Sequence, residues 1–119
     1  MTFAICSYFS DGKKSITISC KKNTIDYEYV DLLSQDWLKK IEQGNYDGVV
    51  IRPPCTLEAH KQMYDERSYV IKHKLNLPIY PNYEELFVYE SKRNMHTWAM
   101  LYDLPHPQTN VFATKQDAY

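Results

Sequence analysis

The stretch that most constrains the fold of this chain is residues 47–52, which two prolines follow directly. Its centre, Val49 to Ile51, is an unbroken run of β-branched apolar residues. A strand with one solvent-exposed face would instead alternate apolar and polar residues. Such a run is typical of a parallel strand that is buried on both faces, and Pro53 ends it because proline cannot donate to a strand ladder. Parallel strands need crossover connections, which are usually helices, so the chain is predicted to be an α/β protein.

The rest of the chain alternates strand and helix patterns around that stretch. Further strands are predicted at residues 2–8, 25–32 and 79–80. Helices are predicted at residues 14–22, around Trp37 up to Gly44, and at residues 56–75, 83–88 and 91–103. Propensity alone favours a strand at residues 15–19, but the spacing of Ile16 and Cys20 and the family resemblance given below favour a helix. We predict an open, mainly parallel, Rossmann-like α/β sheet flanked by helices.

Two of the predicted helices carry apolar residues at helical spacing. The longer one, residues 56–75, has Ala59, Met63 and Val70 in register on its predicted inward face. The last predicted helix has a second apolar face, which consists of Met95, Trp98, Ala99 and Tyr102. We expect both faces to pack against the rest of the protein.

Composition excludes several classes of protein. The net charge is −1 and the pI about 6.4, so no basic surface indicates binding to nucleic acid or to an anionic membrane. No apolar run approaches the ~18–20 residues of a membrane span. Three widely spaced cysteines argue against a disulfide framework or structural zinc and favour a cytoplasmic location. The sequence also lacks the glycine-rich phosphate motifs of dinucleotide-binding proteins and P-loop enzymes.

The carboxyl ends of the predicted strands are where open parallel sheets bind ligands. The sequence places Ser7, Arg52 and Asn82 there, and we predict that they bind substrate. Arg52 is the leading candidate because an arginine that ends an apolar strand can hold a carboxylate or phosphate through two hydrogen bonds. The alternative is a structural ion pair with a loop carboxylate such as Asp31 or Asp47.

Arg67 is a further substrate-binding candidate because it is a charged residue on the inward face of the long helix. In that role it would contact a ligand or a domain interface near the crevice. Alternatively, its stem packs on the sheet while its head reaches solvent or pairs with Glu66 or Asp65.

Lys92 and Arg93 lie in the first turn of the last predicted helix, after Ser91 as the predicted N-cap. The helix dipole disfavours cations there by roughly 0.3–1 kcal/mol each. An anion site built from the two cations and the exposed N–H groups would explain them, and two solvated surface cations are the alternative. Neither the four histidines nor Cys55 has the spacing of a metal site or an activated nucleophile, so no catalytic residue or metal ligand is predicted.

The order of the motifs in the second half of the chain resembles the end of the N-terminal, pre-ATP-grasp domain of ATP-grasp ligases. The matching motifs are residues 77–82, 89–93 and 104–109. Residues 15–31 are similar to the opening of a bacterial subgroup associated with cell-surface polysaccharide or carboxylate–amine ligation. The resemblance covers nearly the whole chain.

The resemblance implies that residues 1–113 form the substrate-side domain of a ligase that is not catalytic alone. Such enzymes make an acylphosphate from a carboxylate and ATP, and an amine or similar nucleophile then attacks it. ATP and Mg²⁺ would bind mainly to the C-terminal ATP-grasp domain of the same polypeptide. Lys92 matches the lysine of an Asp-Lys pair that approaches the nucleotide, with Ser91 in place of the aspartate. A small-molecule carboxylate or amine would bind at the strand ends.

Residues 114–117 form a Thr-x-x-Asp capping box, so residues 114–119 are predicted to be the truncated start of a following ATP-grasp segment. Without that segment, apolar surface around Val88, Met95 and Phe112 would be exposed, and a homodimer is a further expectation. Two other classes stay open. One is a standalone Rossmann-like binding or interaction module without enzymatic activity, and the other is the N-terminal half of a sugar-transfer enzyme.

Overall fold

The computed structural model describes all 119 residues of the chain. Its elements in chain order are β1 (Thr2–Ser7), α1 (Ser10–Lys22), β2 (Asp26–Tyr29), α2 (Trp37–Gln43), β3 (Gly48–Arg52), α3 (Glu58–His73), β4 (Ile79–Tyr80), α4 (Tyr83–Val88) and α5 (Lys92–Leu101), with a 3₁₀ helix at Gln116–Ala118. The four strands form one sheet in the order β2-β1-β3-β4, and every pair is parallel. The predicted open α/β sheet flanked by helices is therefore confirmed.

The direction of the connections places helices on both faces of the sheet. The chain moves from β1 to β2 towards one edge, and from β2 to β3 and β3 to β4 towards the other, so right-handed crossovers put α1 opposite α2 and α3. Side chains that alternate along β1 agree with this, because Cys6 belongs to the core with α2 and α3 whereas Ser7 lies against α1. The main core consists of Ala4, Cys6, Val30, Leu32, Ile41, Tyr46, Val49, Ile51, Tyr64, Ile71 and Leu86.

The helix predicted at residues 14–22 is present and begins four residues earlier, at Ser10. The strand propensity of residues 15–19 is overridden because the crossover from β1 to a parallel neighbour requires a helix between them. Helical spacing also buries Gly12 and Cys20 on the same side of α1.

The predicted inward face of α3 is wrong. Ala59 is exposed, and the true inward positions include two polar residues, so apolar spacing does not reveal them. Lys61 tolerates burial because its Nζ lies 2.5 Å from Asp65 Oδ1 and 2.9 Å from the carbonyl oxygen of Leu86. The buried residues of α3 are Lys61, Tyr64, Ser68 and Ile71.

The chain divides into two compact units, residues 1–86 and 87–119. The first contains the sheet and α1 to α3, and the second contains α5 and the C-terminal stretch. The boundary predicted after residue 113 stays a prediction. Thr114 Oγ1 accepts a hydrogen bond from Asp117 N (3.2 Å), as expected for the capping box, and a short 3₁₀ helix follows. None of the helices combines the length and the apolar character needed to cross a membrane.

The α5 helix forms close to its predicted bounds, but most of its apolar face is not buried. Met95, Trp98 and Tyr102 are 46%, 37% and 56% exposed, and only Ala99 is buried. The expectation that this face is buried is therefore wrong for three of its four residues. The exposed apolar surface expected at Met95 and Phe112 is confirmed, since Phe112 is 50% exposed as well.

Candidate functional site

A crevice is expected between the carboxyl ends of β1 and β3, where the strand connections change direction. The chain leaves β1 towards one edge of the sheet and leaves β3 towards the other, and open α/β sheets bind ligands at such a point. Ser7 and Arg52, which end these strands, are register partners. Beyond them, Tyr8 N donates to the carbonyl oxygen of Arg52 (3.0 Å). The structure thus brings together two of the predicted substrate-binding residues.

The Arg52 side chain lies across the first turn of α1. A Cβ on Gly12 would come within 2.5 Å of both Arg52 Cδ and Ser7 Oγ, so only glycine permits this approach without a shift of the neighbours. Ser7 is buried, and its Oγ donates to the carbonyl oxygen of Phe9 (2.9 Å), which shapes the turn into α1. The stem of Arg52 therefore rests on the helix although the residue as a whole is exposed.

The Arg52 guanidinium takes part in none of the ion pairs of the structure. The two carboxylates considered as its partners have other roles, since Asp47 accepts from Thr2 N (2.8 Å) and Asp31 accepts from Leu33 N (2.9 Å). The alternative of a structural ion pair is therefore wrong. An unpaired guanidinium beside the first turn of α1, where N–H groups lack helical acceptors, is suited to a carboxylate or phosphate.

A second pair of side chains lies at the same edge of the sheet, on the α3 side. Tyr8 Oη and His60 Nδ1 are 3.1 Å apart, and the two rings meet edge to face with their centres 5.6 Å apart. This bond occupies one imidazole nitrogen and leaves Nε2 for another partner. Sequence analysis missed the pair because 52 positions separate the residues and no spacing rule connects them.

Arg67 holds the loop between β2 and α2 through hydrogen bonds to its backbone. Its Nη1 donates to the carbonyl oxygens of Leu32 and Ser34, the latter at 3.0 Å, and its guanidinium carbon lies 5.3 Å from the centre of the Trp37 ring. It forms no ion pair with Glu66 or Asp65, the neighbours considered for it. Its role in substrate binding stays a prediction.

Asn82 directly precedes α4 and shares a capping box with Glu85. Asn82 Oδ1 accepts from Glu85 N (2.9 Å), and Glu85 Oε2 accepts from Asn82 N (3.0 Å). It also lines a cavity of about 310 Å³ together with Lys72 and Pro78. Because its side-chain oxygen already caps the helix, Asn82 has mainly its amide NH₂ for a ligand, and substrate binding stays a prediction here too.

Lys92 is the first residue of α5, in the second unit. Ser91 is the N-cap, as predicted, and its Oγ accepts from Asn94 N (3.2 Å). Lys92 is exposed and takes part in no ion pair. A cavity of about 560 Å³, lined in part by Arg93 and His96, lies between α5 and residues 109–112.

The buried thiol of Cys6 is not an activated nucleophile. Burial raises the pKa of the Cys6 thiol well above its usual range, and the nearby charge of Asp31 raises it further, so Cys6 stays protonated. Cys55 is exposed and follows β3.

No three His, Cys, Asp or Glu side chains converge in a way that fits a metal ion, so we assign no Mg²⁺ ligands in this chain. What the crevice can do is bind and orient an anion.

Comparison of the chain with known protein families, curated proteins and solved structures finds no significant match.

Proposed function

We propose that this chain is the substrate-side domain of an ATP-dependent ligase, and that the acid group of its small-molecule substrate binds to Arg52. The observation that carries the proposal is an unpaired arginine resting on Gly12, at the point of the sheet where the strand connections change direction. The reaction class comes from the order of motifs that resembles a pre-ATP-grasp domain.

In this proposal the residues of the crevice bind and orient the substrate. Arg52 holds the carboxylate through two N–H donors, and the first-turn N–H groups of α1 add to the positive potential. Ser7 keeps the turn in shape through its bond to Phe9. His60 Nε2, in the orientation set by Tyr8, hydrogen-bonds the remainder of the substrate.

The nucleotide is proposed to approach Lys92 from a following ATP-grasp domain, which is the partner and the holder of Mg²⁺. In the complete enzyme the γ-phosphoryl group of ATP would pass to the bound carboxylate with release of ADP, and attack of an amine on the resulting acylphosphate would release inorganic phosphate. The exchange of aspartate for Ser91 is compatible with this role, because both residues are good N-caps and Ser91 does cap α5. A cytoplasmic location is part of the proposal, since ATP is available there and all three cysteines are free thiols.

The anion site is tested by calorimetric titration of the chain with small carboxylates, amino acids and inorganic phosphate. Arg52→Gln should abolish binding and Arg52→Lys should retain part of it, because lysine keeps the charge but loses the paired donors. Lys40→Gln, which changes an exposed cation on α2, is the matched control. Binding that is equal in Arg52→Gln and the parent chain would refute the site.

The ligase is tested separately, with the polypeptide encoded by the complete gene. ATP hydrolysis should require both a carboxylate and an amine, and Lys92→Ala should impair nucleotide use. Anion binding that depends on Arg52, without any turnover of ATP, would instead support the standalone binding module.

A further inference from the structure

The exposed apolar side chains of this protein are concentrated in its second unit. Ten of the sixteen large apolar side chains that are exposed lie in residues 87–119, roughly a quarter of the chain. Four of these ten define what we call the α5 stripe: Met95, Trp98, Leu101 and Tyr102.

The α5 stripe is continuous along one side of the helix. At 3.6 residues per turn its four members span an arc of about 120°, the width of a face that normally packs against a core. The rings of Trp98 and Tyr102 are in contact, with their centres 5.2 Å apart. Leu101, near the C-terminal end of the stripe, is 72% exposed to solvent.

The charges at the ends of α5 are arranged against its own dipole. Lys92 lies at the positive N-terminal end, three residues before Met95 and therefore beside the stripe, and Asp103 follows the negative C-terminal end. Each charge is unfavourable next to its own helix end. An antiparallel second α5 would place the lysine of each copy near the carbonyl end and the aspartate of the other, which reverses both interactions.

We propose that the α5 stripe is a homodimer interface, in which two copies of this chain pack α5 against α5 antiparallel about a two-fold axis. The interface is self-complementary, since the same stripe and the same pair of end charges serve both copies. This inference goes beyond the proposed function and does not depend on it, and because Lys92 cannot meet a nucleotide and the other copy's Asp103 at once, the dimer and the nucleotide complex exclude each other at α5.

The size of the stripe sets the expected affinity. Large side chains that are about half exposed each present roughly 100 Å² or slightly more, so the stripe buries on the order of 500 Å² per copy and 1,000 Å² in total. That is the lower end of specific interfaces, so we expect a dissociation constant on the order of 10–100 µM.

Sedimentation equilibrium of the chain from about 5 to about 500 µM tests the proposal, because that range brackets the expected constant. The parent chain should pass from monomer to dimer, and Leu101→Glu should stay monomeric because each copy would then bring a carboxylate into an otherwise apolar interface and strip it of water. Ile18→Glu, a matched change at an exposed apolar residue of α1, should dimerise like the parent. Circular dichroism of both variants checks that they fold.

Asp103→Asn tests the end charges. Asparagine suits the positive φ of this position (52°) as well as aspartate does, so only the charge is lost. Dimerisation should weaken by a factor of about 2–5 at low salt, and its salt dependence should decrease. A parent chain that is monomeric at the highest concentration, or a dimer that survives Leu101→Glu, would overturn the proposal, and neither result touches the Arg52 site.

Discussion

The buried ion pair between Lys61 and Asp65 offers the sharpest test of how this fold is held together. Lys61 is only 6% exposed, and its ammonium group has two acceptors, Asp65 Oδ1 at 2.5 Å and the carbonyl oxygen of Leu86 at 2.9 Å. We consider Lys61→Met, which keeps an unbranched side chain of similar length and removes the charge. It leaves a partly buried carboxylate without its cation and a buried carbonyl without a donor.

The expected cost follows from these two losses. Removing one partner of a buried ion pair costs about 3–5 kcal/mol. The lower end of this range applies here, because the side chain of Asp65 is 19% exposed and retains some hydration. The orphaned carbonyl adds about 1 kcal/mol, and burial of the methionine returns a similar amount. We therefore expect Lys61→Met to lower the free energy of unfolding by about 3 kcal/mol at neutral pH. The double variant Lys61→Met with Asp65→Leu should lose only about 1 kcal/mol, since replacing both charges removes the desolvation problem.

The loss of stability in Lys61→Met should also depend on pH. Burial already raises the pKa of the Asp65 carboxyl in the folded protein, and the bond to Lys61 partly opposes that rise. Without Lys61 the opposing effect is lost and the folded pKa rises further above the unfolded value. Because the folded protein then binds the Asp65 proton more tightly than the unfolded chain does, stability falls as pH rises from the unfolded pKa to the folded pKa of Asp65. The stability that Lys61→Met loses relative to the parent chain should therefore be largest at pH 7 and become smaller as the pH falls towards 4.

Urea unfolding, followed by tryptophan fluorescence at several pH values, measures these differences. Lys40→Met is the matched control, because Lys40 pairs with Asp36 at the same four-residue spacing while both side chains are about half exposed. That substitution should leave the urea midpoint almost unchanged, because an exposed ion pair contributes little to stability. If Lys61→Met costs as little as the control, or if the double variant is less stable than the single one, the account of a desolvated pair is wrong.

Three further predictions concern single positions. Gly12→Ala should destabilise the fold by about 1–2 kcal/mol and weaken anion binding, because overpacking against Arg52 outweighs the better helix propensity of alanine; unchanged urea midpoint and affinity would contradict it. Ser68→Ala should increase the free energy of unfolding by up to about 1 kcal/mol and so raise the melting temperature, because the buried Oγ has no hydrogen-bond partner. A lower melting temperature would show that the hydroxyl does have a partner. Burial, together with the hydrogen bond to Glu28, raises the pKa of Tyr46 to about 12, so the free energy of unfolding should fall as pH rises from 10 to 12. Tyr46→Phe should make that alkaline slope shallower without removing it, because burial also raises the pKa of Cys6 and of Tyr64; an unchanged slope in this variant would contradict the prediction.

Part of the candidate site could be predicted from the sequence and part could not. Ser7 and Arg52 were expected at one edge because each follows an apolar strand, and the carboxyl ends of parallel strands share an edge. The contact of Arg52 with Gly12 depends on the register between β1 and β3, which local patterns do not contain. The bond between Tyr8 and His60 joins residues 52 positions apart, so only the folded chain brings them together.

The sequence by itself determined the class of this fold. The apolar run before Pro53 required a doubly covered parallel strand, and the periodic patterns around it placed most helices and strands within a few residues of their bounds. Local chemistry was sufficient because caps, prolines and apolar spacing act over one or two turns of chain.

Only the tertiary structure decided which side of each helix is buried. On α3 the inward positions include Lys61 and Ser68, because a buried lysine becomes acceptable once another element supplies its acceptor. On α5 an apolar stripe that should pack against a core is exposed, with Trp98 at 37%. Periodicity specifies that a helix has two faces, but burial also depends on partners from distant parts of the chain, or from another molecule, which the helix itself does not encode.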